Sequence, residues 1–526
     1  MSNSRFRSIS LKTLGFICYV FCWLMLSVGE QPASAAEKPN IIFIVTDDHG
    51  YNDLEATDLH NEVDLPNLHR LSTHGALMTQ AYCTAPQCVP SRAGIVTGRY
   101  QQKFKLEKNG EGPLLPNQKS IASRLKAIGY KTGHVGKWHL DPNRKTKAWL
   151  KQNSYKSIAN VSEEKLAAYK PQGFGYDEYA EGTGVKYWSN FDLKDQLFEP
   201  KSINYRTHES GKHKDKYRIQ LQTELALNFI QRNLTDPKPF FLYLAYYGPH
   251  APLDAPESLT SQVLSTKELE KRGYENSKKV HTSKNYARPY TAAEVRQQGL
   301  ALLKGIDNGV GKMIDLLEEK KALKNTLIVF MSDNGAPTGT KSWDGSINDP
   351  WHGSKGIIFE GGSRIPYIVH WKGVVPPQTF DYGVSTLDAG ATAIAAAGGQ
   401  LEKDPLLDGV DLLPFLKKRS KKSPHRYLYQ RYANTSAVIG GKYKFMRHQN
   451  GEELLFNVSM EKPGSYNPKK DFHETVNLID SKPDIAKELR DALSTWTQAL
   501  PIPERKDGYH NSLVDFIKKR WGFRKE

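Results

Sequence analysis

The run that decides the fold is Ile41-Ile42-Phe43-Ile44-Val45, which continues into Thr46-Asp47-Asp48. An apolar run without a polar face is typical of a strand buried on both sides, as in a parallel sheet covered by helices. Polar residues directly after such a strand lie at its carboxyl end, where open parallel sheets bind their ligands. This segment therefore predicts both a sheet and one edge of a functional site.

The same pattern recurs along the chain and sets the fold class. We predict further strands at residues 240–247, 327–331 and 367–370. Helical patterns lie between them, at residues 120–128, 220–232 and 294–321. Alternating strands and helices predict an α/β fold with a doubly wound, mostly parallel sheet flanked by helices.

The pattern changes after about Pro414. Short strands joined by turns are predicted at residues 426–432, 437–447 and 453–458. A helix follows, with an apolar face made of Ile485, Leu489, Leu493, Trp496 and Leu500. We therefore predict a catalytic domain at residues 36–414 and a smaller C-terminal α+β subdomain, an antiparallel sheet plus a helix, at residues 415–526.

The first 35 residues have the pattern of a secretory signal peptide. Basic residues precede an apolar run at residues 14–26, and Ala33-Ser34-Ala35 supplies the small residues of a cleavage site. The run is shorter than the roughly 20 residues of a membrane-spanning helix. We therefore predict cleavage after residue 35, no stable membrane span, and a secreted or periplasmic protein.

The chain is strongly basic, with a formal net charge of +16. Such a charge suits polyanions, among them acidic polysaccharides, nucleic acids and anionic membranes, and it does not choose among these partners. No nucleic-acid recognition motif accompanies the charge, so we predict that nucleic acid is not a partner.

Two polar pairs follow predicted strands: Asp47-Asp48, and Asp333-Asn334. Carboxylate and amide oxygens without an accompanying sulfur or nitrogen ligand favour a hard cation such as calcium or magnesium. Adjacent carboxylates also repel each other unless a cation lies between them. The alternative is ordinary turn chemistry, because Asp and Asn are common at strand ends.

Two cysteines remain beyond the predicted signal peptide, Cys83 and Cys88. In an exported protein, two close cysteines usually indicate a disulfide. Cys88, however, begins the segment Cys88-Val89-Pro90-Ser91-Arg92-Ala93-Gly94-Ile95-Val96-Thr97-Gly98-Arg99. This segment resembles the signature of the type I (formylglycine-dependent) sulfatases of the alkaline phosphatase superfamily, C-x-P-S-R followed by T-G-R, with Ile95 where a leucine is usual.

Further motifs of that family occur in the expected order. Asp47-Asp48 resembles its first metal pair, and the later motifs are matched by Gly136-Lys137-Trp138-His139-Leu140, Gly248-Pro249-His250-Ala251-Pro252, Ser332-Asp333-Asn334-Gly335 and Gly353-Ser354-Lys355-Gly356. The resemblance therefore extends over most of the chain.

The resemblance implies roles for these residues. Cys88 would be oxidised to 3-oxoalanine (formylglycine) by a formylglycine-generating or sulfatase-maturating enzyme, which leaves Cys83 without an intrachain partner. The implied Ca2+ ligands are Asp47, Asp48, Asp333, Asn334 and the modified Cys88. The implied catalytic residues are Cys88 as nucleophile, Arg92 beside it, Lys137 and Lys355 on the sulfate, His250 as acid and His139 as base.

The sequence thus predicts a sulfuric ester hydrolase that releases sulfate from a sulfated carbohydrate, either a polysaccharide or an oligosaccharide. Loops at residues 188–208 and 267–288 are rich in Lys, Arg, Tyr and Asn, and we expect them to shape the substrate pocket. One alternative is a phosphodiesterase or phosphonate monoester hydrolase of the same superfamily. Another is a non-catalytic polyanion-binding protein.

Overall fold

The structure is a computed structural model that describes residues 38–54, 62–143, 145–182, 187–189, 217–274, 279–281, 290–337, 344–349, 351–417, 422–459, 474–502 and 524–525. The predicted signal peptide and most of the two predicted substrate loops lie outside these residues. Within them, no helix has the length and apolar character needed to cross a membrane.

The described residues form strands and α-helices along the whole chain. The strands are β1 Asn40–Asp47, β2 Ala76–Met78, β3 Ala81–Tyr82, β4 Lys131–Gly136, β5 Glu178–Gly182, β6 Tyr187–Ser189, β7 Phe240–Pro249, β8 Lys279–His281, β9 Tyr290–Thr291, β10 Thr326–Ser332, β11 Tyr367–His370, β12 Gln378–Phe380, β13 Val384–Ser385, β14 Leu428–Tyr432, β15 Thr435–Gly440, β16 Tyr443–His448, β17 Glu453–Asn457, β18 Val476–Asn477 and β19 Arg524–Lys525. The α-helices are α1 Pro66–Thr73, α2 Cys88–Thr97, α3 Ile121–Ala127, α4 Lys147–Gln152, α5 Glu163–Ala167, α6 Arg218–Asn233, α7 Glu257–Thr260, α8 Thr266–Lys271, α9 Ala292–Glu319, α10 Glu360–Ser363, α11 Leu387–Ala396, α12 Leu413–Lys417 and α13 Pro483–Gln498.

The main sheet has nine strands in the order β12-β2-β11-β10-β1-β7-β4-β5-β6. The strands β10, β1, β7, β4 and β5 run parallel to their neighbours in this series. The strand β11 runs antiparallel to β10, and β6 antiparallel to β5. The predicted fold class, a mostly parallel α/β sheet, is confirmed.

Both faces of this sheet are buried, which explains the continuous apolar run in β1. Ile41, Phe43 and Val45 pack into one core with residues of α2, α3 and α11. Ile42 and Ile44 point to the opposite face and pack with residues of α1, α6 and α9. Because successive strand residues alternate between faces, a strand between two helical layers has no place for a polar side chain.

A second sheet follows in the C-terminal part of the chain. The strands β14 to β17 form a four-stranded antiparallel sheet in sequence order. The helix α13 packs on one face, where Leu489 and Leu493 contact Val438 and Phe445. The predicted strand at residues 437–447 is two strands, because the chain turns at Gly441, which has φ 56°. The domain boundary at residues 414–415 stays a prediction.

A fully buried group of charges joins this second sheet to the part of the chain that forms the main sheet. Lys444 Nζ on β16 lies 3.0 Å from Glu360 Oε1 and 3.2 Å from Glu474 Oε1. Arg364 Nε donates to Glu360 Oε2 at 2.7 Å. Buried charges of this kind are stable only when each has its partner. The four residues therefore fix the C-terminal sheet against the segment that follows Lys355.

A second buried polar contact, between His425 and Asp388, contributes to stability in a way that depends on pH. His425 Nε2 lies 2.8 Å from Asp388 Oδ2, and Asp388 also accepts from the backbone N–H groups of Ser385 and Val410. Burial lowers the pKa of His425, but the neighbouring Asp388 carboxylate outweighs it and the net pKa is raised. A histidine with a raised pKa in the folded state stabilises the fold below its unfolded pKa of about 6.5 and loses this contribution as the pH rises through the folded value.

We therefore expect the free energy of unfolding to fall on the order of 1 kcal/mol between pH 6 and pH 8.5 because of this pair. Urea unfolding of wild type and His425→Gln at both pH values would measure it, with exposed His69→Gln as control. The His425→Gln protein should lack this part of the pH dependence. An unchanged pH dependence in His425→Gln would contradict the assignment.

Candidate active site

The acids of the site lie where the two central strands end. Asp47 is the last residue of β1 and Asp48 follows it in the left-handed conformation, with φ 63°. Asp333 and Asn334 follow β10, the parallel neighbour of β1, and the Asp48 N–H donates to Asp333 Oδ1 at 3.2 Å. All four side chains are completely buried. The two pairs predicted from the sequence therefore form one cluster.

Cys88 is the first residue of helix α2, and its side chain reaches this cluster. Cys88 Sγ lies 3.5 Å from Asp47 Oδ1 and 4.0 Å from Asp48 Oδ1. The helix ends at Gly98, which has φ 70° and whose absent Cβ would lie 2.7 Å from Leu407 Cδ2. The T-G-R part of the motif thus ends α2, while its cysteine lies at the positive end of the helix dipole.

Arg92 lies one turn further along α2, with its side chain only 1% exposed. Its Nη2 is 2.8 Å from Asp333 Oδ2 and 3.6 Å from Asp47 Oδ1. The guanidinium therefore bridges the acids of β1 and β10. Its Nη1 also donates to the Lys137 carbonyl at 3.2 Å, which connects it to the loop after β4.

Two lysines complete the positive side of the site. Lys137 follows β4, and its Nζ pairs with Asp47 Oδ2. Lys355 Nζ lies 2.5 Å from Asp48 Oδ2. Gly136, the residue before Lys137, has φ 101°, and a Cβ there would lie 1.9 Å from the Ala245 carbonyl of β7. Only glycine fits at that point, so the motif glycine places Lys137.

Two histidines border the same cluster. His250 follows β7, donates from Nδ1 to the Ala251 carbonyl at 2.7 Å, and places Nε2 3.7 Å from Asp48 Oδ2. Burial lowers the pKa of His250 to about 4. Burial also lowers the pKa of His139, which follows β4 with φ 62° and whose Nδ1 is buried. Both imidazoles are therefore neutral near pH 7 in the free protein.

The structure thus brings the sequence-predicted site residues together at one edge of the sheet. These residues are Asp47, Asp48, Cys88, Arg92, Lys137, His139, His250, Asp333, Asn334 and Lys355.

Sequence reasoning missed one acid, Asp344, which is completely buried beside this cluster. Its carboxyl faces that of Asp48, and burial together with Asp48 raises the pKa of Asp344 well above its usual range. Asp349 lies on the same segment and is exposed. Both residues are loop acids outside any motif, so no feature of the sequence shows that Asp344 is buried and Asp349 is exposed.

The donor set fits a divalent cation. Asp47, Asp48 and Cys88 each offer a ligand atom within 4.8 Å of the others. Asn334 Nδ2 donates to Asp48 Oδ1 at 2.6 Å, while Asn334 Oδ1 is buried and accepts no hydrogen bond from any described residue.

The charges of the site also leave room for a further positive group. Its buried carboxyls are Asp47, Asp48, Asp333 and Asp344, and the cationic side chains among them are Arg92, Lys137 and Lys355. The pKa of Asp344 is raised well above its usual range. A bound cation near Asp48 would supply a further positive charge and favour the ionised form of Asp344.

The two cysteines do not form a disulfide. Both Cys83 and Cys88 are buried free thiols. Cys83 Sγ lies 3.8 Å from the Gly362 carbonyl and belongs to the apolar core that includes Phe43 and Val45. Cys88 instead lies among the acids and cations of the site.

Comparisons with known proteins agree with this arrangement. Residues 39–399 match the family model Sulfatase. The chain is 28% identical to N-acetylgalactosamine-6-sulfatase of Canis lupus familiaris, covering 80% of this chain and 75% of that protein. It is 26% identical to the uncharacterized sulfatase YdeN of Escherichia coli (strain K12), covering 89% and 87%. The structure of Ps i-CgsB in complex with k-i-k-neocarrahexaose is similar with a TM-score of 0.66 and 26% identity, covering 92% of this chain and 97% of that one.

The fold and the site define a hydrolase of the alkaline phosphatase superfamily. Within that superfamily the chain belongs to the type I sulfatase family, and the enzyme is a sulfatase.

The contacts of Arg92 generate a stability prediction. Arg92→Met removes the cation that bridges Asp47 and Asp333 and leaves buried carboxylates without it, so we expect a loss of about 3–5 kcal/mol in the free energy of unfolding. The measurement is urea unfolding in the presence of a chelator. Arg426→Met, which removes a surface ion pair from a side chain 79% exposed, should leave the free energy of unfolding nearly unchanged. Equal losses in the two variants would contradict the proposed bridging role.

Proposed function

We propose that this enzyme releases sulfate from a sulfated carbohydrate, a polysaccharide or an oligosaccharide, using Cys88 converted to formylglycine and a bound Ca2+. The observation that carries the proposal is the position of Cys88. Its Sγ contacts the carboxylates of Asp47 and Asp48 at the start of a helix. Its neighbours are therefore the side chains that would hold a cation.

As a thiol, Cys88 suits this position poorly. Burial raises the pKa of Cys88 to about 12, so the side chain is a protonated thiol rather than a nucleophilic thiolate at neutral pH. Sulfur is also a soft ligand among hard oxygens. Oxidation to an aldehyde by a formylglycine-generating or sulfatase-maturating enzyme removes both mismatches, because the hydrated aldehyde offers hydroxyl oxygens.

The proposed calcium ligands are the oxygens of Asp47, Asp48, Asp333, Asn334 and the modified residue 88. When bound, the ion would stabilise negative charge on the sulfate oxygens. Arg92 keeps Asp47 and Asp333 in place through its buried guanidinium. Lys137, which pairs with Asp47, and Lys355, which pairs with Asp48, are the groups that would bind the remaining sulfate oxygens.

Bond changes can then be assigned to the chain's own residues. With residue 88 as the hydrated aldehyde, one of its hydroxyls would lose its proton to a carboxylate beside it and bond to sulfur, while the bond from sulfur to the substrate alcohol breaks. His250, protonated once the sulfate is bound and helped by Lys355, would give its proton to the departing alcohol. His139 would then take the proton of the second hydroxyl, the bond from carbon to the sulfate oxygen would break, and the aldehyde would be restored for hydration by water. Burial keeps His250 neutral in the free enzyme. An anionic sulfate beside the imidazole favours its charged form, so we expect substrate binding to raise the pKa of His250.

A polar cleft beside His139 supports a carbohydrate as the substrate. Its lining includes Val89, Asn109, Glu111, His139 and Lys145. Val89 follows the nucleophile, so the cleft begins next to the reaction centre. Amide, carboxylate and ammonium groups suit sugar hydroxyls and further anionic groups. The canine relative carries N-acetylgalactosamine in its name, and Ps i-CgsB was crystallised with an oligosaccharide.

Export belongs to the same proposal. The predicted signal peptide would direct the chain to a secreted or periplasmic location, where a polysaccharide substrate is accessible. The net charge of +16 would attract a sulfated polyanion.

The test is release of inorganic sulfate from a panel of defined sulfated oligosaccharides, compared with hydrolysis of an aryl phosphodiester. We expect sulfate release to be the faster reaction. Lys137→Met should lose about 100- to 1000-fold in kcat/KM, because it removes one charge-stabilising contact to the sulfate, whereas exposed Lys324→Met should retain full activity. Faster turnover of the phosphodiester than of every sulfate ester would favour the phosphodiesterase alternative and contradict the proposal.

A further inference from the structure

We propose that Arg431, on the C-terminal sheet, is a positioning residue for the substrate. It holds residues 107–111, here called the cleft loop, against the start of helix α2, and it thereby raises the affinity for a sulfated oligosaccharide. The inference rests on the proposed function and adds to it a residue that none of the site motifs contains.

The first observation is a buried ion pair between the C-terminal sheet and the cleft loop. Arg431 lies on β14, and its Nε and Nη2 donate to the two carboxylate oxygens of Glu107 at 2.9 and 2.8 Å. The two side chains are only 7% and 4% exposed. Arg431 Nη2 also donates to the Pro501 carbonyl at 3.1 Å. A two-point contact between guanidinium and carboxylate fixes orientation as well as distance, so the C-terminal part of the chain holds the first residue of the cleft loop.

The second observation is the tight turn that the cleft loop forms. Glu111 Oε2 accepts from the backbone N–H groups of Glu107 at 2.9 Å and of Lys108 at 3.1 Å. The two ends of the loop are therefore tied together, and a displacement of Glu107 also displaces Glu111. Asn109 and Glu111 line the cleft beside His139. The position of this wall of the cleft thus depends on the contact between Glu107 and the C-terminal sheet.

The middle of the cleft loop contacts the helix that carries the proposed nucleophile. The Asn109 N–H donates to Gln87 Oε1 at 2.7 Å, and Asn109 Oδ1 accepts from the Val89 N–H at 3.0 Å. Gln87 precedes helix α2, and its own side chain does not cap the helix. Asn109 therefore serves an N–H group of the first turn that has no partner within the helix. These contacts hold the cleft loop beside Cys88, which lies between Gln87 and Val89.

Helix α2 also has anchors that do not involve the cleft loop. Ser91 Oγ donates to the Asp333 carbonyl at 2.5 Å, and Arg92 pairs with Asp333 and Asp47. We expect these contacts to keep residue 88 in place when the ion pair of Arg431 is removed. The loss should therefore loosen the wall of the cleft rather than displace the nucleophile. A loop that must be ordered at the moment of binding lowers the affinity for the ligand.

The test variant is Glu107→Gln/Arg431→Met, which removes the pair without leaving one of its two charges in the interior. Deuterium exchange of the full-length protein, measured by mass spectrometry, should be faster in peptides covering residues 105–112, because local opening exposes their amides. Peptides covering residues 92–98 should exchange as in wild type. The matched control is Glu453→Gln/Arg490→Met, which removes an ion pair between the same sheet and helix α13 and should leave both regions unchanged.

Kinetics separate a positioning role from simple structural support. For the oligosaccharide of the panel that releases sulfate fastest, we expect KM to rise on the order of 10-fold in the test variant while kcat changes little. The control variant should keep the wild-type KM. Arg431→Lys keeps a positive charge opposite Glu107 but loses the planar two-point contact, so its KM should lie between those of wild type and the test variant.

Several outcomes contradict the proposal, and they can be told apart. Unchanged exchange at residues 105–112 in the test variant, or faster exchange with an unchanged KM, would overturn the role of Arg431 and leave the proposed function intact. If the test variant does not fold, Arg431→Lys decides, and wild-type exchange and KM in that variant would overturn the role. A wild-type enzyme that releases no sulfate from any oligosaccharide of the panel would overturn the proposed substrate together with this inference.

Discussion

The structure depends on one electrostatic constraint: the two central strands of the sheet end in acids that are out of contact with water. Asp47 and Asp48 follow from β1, and Asp333 follows from β10, its parallel neighbour. Such a group of carboxylates is unstable unless cations surround it. Arg92, Lys137 and Lys355, from three different segments of the chain, meet this requirement. We propose that Lys137 and Lys355 also bind the anionic ester.

Several elements of the fold hold the residues of this cluster in position. The strand β1 is buried between two helical layers, which fixes the backbone before the acids, and helix α2 directs Cys88 and Arg92 at them. On the far side, the C-terminal sheet is fastened by Lys444 to Glu360, five residues after Lys355. The segment with Lys355 is thus held by the catalytic sheet and the C-terminal sheet together, so a small antiparallel subdomain that contributes none of the predicted catalytic residues supports the catalytic arrangement.

Much of this was predictable from the sequence, because the signals were strong and local. The run from Ile41 to Val45 identified a doubly buried strand, and the motif around Cys88 identified the family. The direction of β11 was not predictable, since an apolar strand of four residues has the same pattern whether it runs parallel or antiparallel. Asp344 was missed for a related reason: burial of a loop acid depends on distant contacts, here Arg296 and Asp53, that leave no periodic pattern.

The central claim is that Cys88 is an aldehyde in the active enzyme, and peptide mass spectrometry of fully active protein tests it most directly. The account predicts that the peptide containing Cys88 has lost its sulfur and reacts with hydrazine reagents, while Cys83 in the same sample is still a thiol. An intact Cys88 thiol, or a Cys83–Cys88 disulfide, in fully active enzyme would contradict the account.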